Sequence, residues 1–188
     1  MPRLEPVPPH AYGPLARLAQ RYTRRRFGAV PEPFTLMAHA PAVFWSNAAY
    51  ESVVERTWTR LDRELRELAV LRAALTVDCP WCVDFGSHLS ARGGLPPAKL
   101  EAVAHWRDSA LFSELERQVL DYAEALSETP LRATDEMVAA LERALGADEV
   151  VELTAYVALE NSRSRFNAGL GISAQGYRDG SCRVPAAR

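Results

Sequence analysis

Two cysteines, Cys79 and Cys82, stand three residues apart in the stretch Cys79-Pro80-Trp81-Cys82, and the chain holds only three cysteines in all. This spacing serves three ends: a redox pair, half of a metal site, or two small core residues. Pro80 suits the first position of a helix, where its missing N–H costs nothing and its fixed φ helps. Cys79 is then the N-cap, and Cys82 falls in the first turn of a helix running to about Arg92. Sulfur placed there faces unpaired backbone N–H groups and the positive end of the helix dipole. Such surroundings lower a thiol pKa from about 8.5 toward roughly 3.5–7.5. Residues at i and i+3 also share a helix face, so an intramolecular disulfide is within reach. The spacing thus offers an activated thiolate together with a second thiol.

The metal alternative needs four ligands for a closed zinc site. The remaining candidates are four scattered histidines (His10, His39, His88 and His105) and Cys182 in a polar tail. The third alternative is inert burial, a common fate of free cysteine. Of the three, redox use fits the residues best, and it calls for no cofactor and no metal.

The elements that must hold these residues read as helices throughout. Residues 1–14 contain five prolines and are expected to form an extended arm. A first helix is predicted over 15–27, closed by Gly28, Pro31 and Pro33. Its arginines (Arg17, Arg21, Arg24, Arg25 and Arg26) have no interleaved aromatics, so a solvated or subunit-facing surface is expected rather than a nucleic-acid patch. Two helical pieces broken at Pro41 follow. Over 62–77, Leu65, Leu68, Leu71 (or the stem of Arg72) and Leu75 recur at threes and fours, the stripe of a buried helix face. After the cysteine helix, Gly93, Gly94, Pro96 and Pro97 mark a stop. Further helices are predicted near 97–106, 113–127 and 134–145, and a last one from Gly146 to about Asn167. No stretch sustains period-two alternation, so the fold class is all-α. The organisation expected is an arm over 1–14, one helical domain over 15–175 and a polar tail over 176–188.

Composition sets the outer bounds. A chain of 188 residues, 48% hydrophobic and 24% charged, suits one buried core. A net charge of -2 gives no general attraction to nucleic acid. No apolar run approaches the roughly 20 residues that cross a bilayer. The N-terminus, MPRLEPVPPH, lacks the apolar segment of a secretory signal. With so few cysteines, a cytoplasmic protein with reduced thiols is expected.

Glu67, followed after eleven residues by Cys79-Pro-Trp-Cys82, resembles the core motif of the alkylhydroperoxidase D-like proteins of the carboxymuconolactone decarboxylase superfamily. The closing stretch VVELTAYVALENSRSRFNAGLG is similar to the last helix of the longer members, with Asn161, Arg165, Phe166 and Asn167 in its pattern. RRFGAVPEPFTLMAHAP resembles their lead-in, so the likeness spans about residues 15–175. The resemblance implies an all-helical fold, homo-oligomers (dimers, trimers or hexamers) and reduction of small hydroperoxides. By it, Cys82 attacks the peroxide and becomes a sulfenic acid, Cys79 resolves this to a disulfide, and a dithiol reductant protein restores the pair. Glu67 would serve a proton relay. On the residues alone, Glu67 reads equally well as a surface charge paired with Arg63 or Arg66.

One position departs from that motif. The peroxidase motif places a histidine four residues after the second cysteine, where this chain has Gly86. His88 is the nearest substitute base. On a straight helix it lies about 120° from Cys82, whereas Gly86 lies about 40° away. His88 therefore needs a bend at Gly86 to reach the thiol, and otherwise pairs with Asp84 at i, i+4. Two other functions compete: lactone decarboxylation, which needs acid–base residues rather than thiols, and a redox-responsive module without catalysis. Trp81 and Phe85 flank the pair and read as core before substrate contacts.

Overall fold

A computed structural model describes residues 2–177. All regular structure among them is helical: α1 (Pro14–Phe27), α2 (Glu32–Met37), α3 (Pro41–Thr57), α4 (Arg63–Thr76), α5 (Pro80–Arg92), α6 (Pro97–Ala102), α7 (Glu114–Ser127), α8 (Asp135–Leu145) and α9 (Ala147–Leu170). Short 3-10 turns cover Pro9–Ala11 in the proline-rich arm and Val103–Asp108 after α6. No helix is long and apolar enough to cross a membrane among these residues.

The chain forms two compact units. One comprises residues 2–58 with 170–172. In it, Gly28 ends α1 at φ 85°, a left-handed conformation that glycine adopts without strain. Arg26 then grips the Glu55 carboxylate with two hydrogen bonds of 2.9 Å, tying α1 to α3. Phe34 of α2 meets Phe44 of α3 edge to face at 6.2 Å.

The other unit comprises residues 59–169 with 173–177, and it carries the cysteine helix. Its centre is α4, which packs on α7 and α5. The Asp62 carboxylate caps α4 by accepting from the Glu64 and Leu65 amides. The predicted stripe is buried: Leu65, Leu68, Leu71 and Leu75 all face the core, with Leu100, Val103, Trp106 and Leu120 around them. Arg72 is buried as well, its charge met by Glu124 of α7 at 2.8 Å.

The predicted helix over 97–106 is instead two elements. His105 has non-helical torsions (φ -126°, ψ 38°). The reason lies in α4, since Arg72 Nη1 donates to the carbonyls of Val103 and Ala104 at 3.4 Å each. Those carbonyls serve a buried cation, and the chain tightens into a 3-10 turn to present them.

Candidate active site

The turn from α4 into α5 sets the first cysteine. Asp78 takes φ 57°, a region that short polar side chains tolerate better than most residues. The reversal lets the Cys79 amide reach the Ala74 carbonyl at 3.0 Å. Cys79 is the N-cap of α5 and its Sγ accepts from the Cys82 amide at 3.2 Å. Pro80 occupies the first helical position, as the sequence predicts. The two cysteines are joined by a disulfide, with Cα atoms 5.3 Å apart.

Both sulfurs are deep in the protein, with Cys79 1% and Cys82 6% exposed. Their remaining contacts come from α9, more than eighty residues further along the chain. Asn167 Nδ2 donates to Cys82 Sγ at 3.2 Å and lies 3.8 Å from Cys79 Sγ. Ser164 Oγ lies 3.3 Å from Cys82 Sγ and 3.1 Å from Glu160 Oε1. Each sulfur thus has two donors within reach: the Cys82 amide and Asn167 at Cys79, and Ser164 and Asn167 at Cys82.

The other residues singled out from sequence lie apart from the sulfurs in their bonding. Glu67 accepts from Ser90 Oγ at 2.7 Å and pairs with Arg66 at 2.9 Å and Arg63 at 3.8 Å, so it joins α4 to α5. Its side chain is only 16% exposed, more buried than a plain surface charge. The helix α5 runs unbroken past Gly86, and His88 packs against the Tyr177 ring at 5.8 Å. His88 Nε2 is buried without a hydrogen bond. His105 is exposed in its 3-10 turn, and His39 binds the Glu5 carbonyl at 2.8 Å. Cys182 lies outside the described residues. No cluster of three or more metal-ligating side chains occurs among the described residues.

Trp81 and Phe85 stack at 4.8 Å, and Tyr177 meets both rings edge to face. Asp84 fixes this arrangement by accepting from three successive amides, Gln175, Gly176 and Tyr177, at 2.8, 2.8 and 3.1 Å. Burial, and then the Asp84 carboxylate, push the Tyr177 phenol up to about 12. Gly86, one turn beyond Cys82, opens on space: a Cβ there would meet nothing within 4 Å.

Residues 41–125, from α3 into α7, match the family profile described as the carboxymuconolactone decarboxylase family. The uncharacterized protein YnjA of Escherichia coli K12 is 37% identical over 183 residues, which is 97% of this chain and 98% of that protein. The chain belongs to the carboxymuconolactone decarboxylase family. Solved structures extend the likeness of fold. The debrominase Bmp8 superposes with a TM-score of 0.80 at 20% identity, over 92% of this chain and 91% of its own. A cysteine-to-alanine variant of Bmp8 in complex with 2,3,4-tribromopyrrole gives 0.77 at 19% identity, over 97% and 91%. An alkylhydroperoxidase AhpD core, an uncharacterized peroxidase-related protein from Ralstonia eutropha JMP134, gives 0.77 at 21% identity, over 93% and 92%.

Within this family member, sequence reasoning placed the sulfurs and quoted Asn167 as part of a family pattern, without a role. It missed Ser164 and Glu160. Glu160, Ser164 and Asn167 recur at i, i+4 and i+7 and so share one helix face, but Asn161, Ser162, Arg163 and Arg165 among them are polar too, so the sequence does not single that face out.

Proposed function

We propose that this protein is a thiol-dependent peroxidase whose turnover runs through Cys82 and Cys79. The observation that carries the reading is the environment of Cys82, whose sulfur receives Ser164 and Asn167 at a helix N-terminus while joined to Cys79. Hydrogen bonds and a helix dipole that favour a thiolate make a nucleophile. The Cys82 thiolate attacks one peroxide oxygen and the O–O bond breaks. The departing alkoxide takes a proton to give an alcohol, and Cys82 is left as a sulfenic acid. Cys79 then attacks that sulfur, the S–S bond forms, and water leaves. An outside dithiol protein reduces the disulfide by exchange. Glu67 would hold Ser90 and the α4–α5 spacing in a proton network, with His88 in reserve beside Tyr177. A cytoplasmic homo-oligomer is the setting this chemistry fits.

The test uses two variants. Cys79→Ser should consume one equivalent of hydroperoxide and stop, leaving a sulfenic acid on Cys82 that a cyclic 1,3-dione captures. Cys82→Ser should consume none. Sustained turnover by the double-serine variant would contradict the proposal.

The open space at Gly86 favours a second reading, in which the same thiols reduce a halogenated ring, as the debrominase Bmp8 is named for. There the carbon–bromine bond breaks, a proton replaces bromine on the ring, and the two thiols become the disulfide, releasing bromide and a proton. Bromide release from a bromopyrrole, without peroxide consumption, would select it. Lactone decarboxylation would leave the cysteines without a task, and only decarboxylation insensitive to thiol blocking would support it.

A further inference from the structure

The helix α9 turns Glu160, Ser164 and Asn167 toward the interior, where they are 4%, 0% and 2% exposed. Polar groups buried so deeply cost stability unless partnered, and two of them form a chain that ends on sulfur. Glu160 Oε1 lies 3.1 Å from Ser164 Oγ, which lies 3.3 Å from Cys82 Sγ. Arg163 Nη1 holds the other carboxylate oxygen at 3.3 Å. A hydroxyl has a single proton, so Ser164 donates to one neighbour while accepting from the other.

The reduced protein then has two arrangements. In the first, the Cys82 S–H donates to Ser164, and Ser164 donates to ionised Glu160. In the second, protonated Glu160 donates to Ser164, and Ser164 donates to the Cys82 thiolate. Passing from the first to the second breaks the S–H bond and forms an O–H bond on Ser164. The hydroxyl's original proton moves to Glu160. One proton has travelled from Cys82 to Glu160, and the group carries a single negative charge before and after. Internal transfer avoids the cost of placing a second charge in a buried site.

We propose that Glu160 takes and returns the proton of Cys82 through the Ser164 hydroxyl, the task for which Gly86 offers no side chain. This rests on Cys82 as the attacking thiol but not on peroxide as its substrate. Ser164 touches the reacting sulfur and is catalytic, and Glu160 acts through it as a positioning residue. Among the described residues, Arg163 of α9 pairs with Glu160, and Arg66 of α4 lies over the ring of Tyr156, one turn before Glu160, and is bound to Glu67. Asp84 of α5 spends its carboxylate on the amides of 175–177.

The test needs no peroxide. Iodoacetamide alkylation of Cys82 is followed against pH in the reduced Cys79→Ser protein by peptide mass spectrometry. Two coupled groups titrate in two macroscopic steps, so the profile should show a reactive shoulder below the usual thiol range. Glu160→Gln keeps the shape but cannot take the proton, and the shoulder should vanish, slowing alkylation near neutral pH by about tenfold or more. Ser164→Ala should do the same and Ser164→Thr should restore it. A merely electrostatic Glu160 predicts the opposite sign, because removing a like charge eases thiolate formation. Faster alkylation of Glu160→Gln, or a one-step profile without that substitution, overturns the relay. Should Glu160→Gln fail to fold, infrared difference spectra of the unsubstituted protein decide. Across the shoulder the S–H band of Cys82 must be lost while a protonated carboxylic acid band persists, and loss of the carboxylic acid band in that step overturns the relay. If the shoulder is present and peroxide is not consumed, the relay stands and the peroxidase reading fails.

Discussion

Asn167→Leu removes a donor from Cys82 while nearly preserving side-chain volume. The amide nitrogen is 3.2 Å from Cys82 Sγ, and the residue is 2% exposed, so water does not replace the lost donor. A hydrogen bond to a charged group is worth about 1.5–3 kcal/mol, and one pKa unit corresponds to about 1.36 kcal/mol. The Cys82 thiol should therefore rise by about one to two units, with the helix terminus and Ser164 still in place. Losing thiolate stabilisation also disfavours the reduced form, so the pair becomes a weaker oxidant. Its exchange constant with a reference dithiol should shift by about ten- to a hundredfold toward the disulfide. Alkylation midpoints report the first effect, and redox equilibration followed by mass spectrometry reports the second. A folded Asn167→Leu protein with both quantities unchanged would refute the claim that this contact stabilises negative sulfur.

Four other substitutions, at three positions, probe the scaffold and the site. Glu124 meets Arg72 and Arg107, each at 2.8 Å, and Trp106 Nε1 at 3.2 Å. Burial raises its carboxyl, but hydrogen bonds from Arg107 and Trp106 and the Arg72 charge outweigh this and hold it below the ordinary value. Its stabilisation is thus complete above the unfolded value of about 4.3 and is lost as pH falls through the folded one. Glu124→Gln should cost about 3–5 kcal/mol near neutrality, and the gap in urea midpoint should narrow in acid; a pH-independent gap would contradict the linkage. Gly86→Ala should stabilise α5 by about 0.5–1 kcal/mol, read as a higher Tm, because a Cβ there meets nothing within 4 Å. Gly86→His should in addition speed peroxide loss, by placing a base one turn beyond Cys82. Asp84→Ala strips the acceptor from three amides, so hydrogen exchange at Gln175, Gly176 and Tyr177 should accelerate by about tenfold or more; unchanged protection would show that the ring packing alone holds the segment.

The helices were legible because prolines and glycines punctuate them. Pro41, Pro80 and Gly146 each sit at a boundary, and the leucine spacing of α4 announces its buried face. Cys79 as N-cap followed from Pro80 alone. The 3-10 turn at Val103–Asp108 was not legible, since it depends on the Arg72 guanidinium crossing from α4 to two carbonyls. The partners of the sulfurs were hidden for the same kind of reason. Ser164 and Asn167 reach Cys82 only because α9 packs its polar stripe against the start of α5. Glu67 was singled out by its distance from Cys79 in sequence, yet its carboxylate is occupied by Ser90 and two arginines.

The central claim is that Cys82 attacks and Cys79 resolves. Fully reduced protein should be mixed with a small excess of an organic hydroperoxide, and peroxide loss followed alongside peptide mass spectrometry. The account predicts rapid loss of one peroxide for each Cys79–Cys82 bridge formed. Oxidation no faster than that of an ordinary free thiol, or peroxide loss without the bridge, would contradict it.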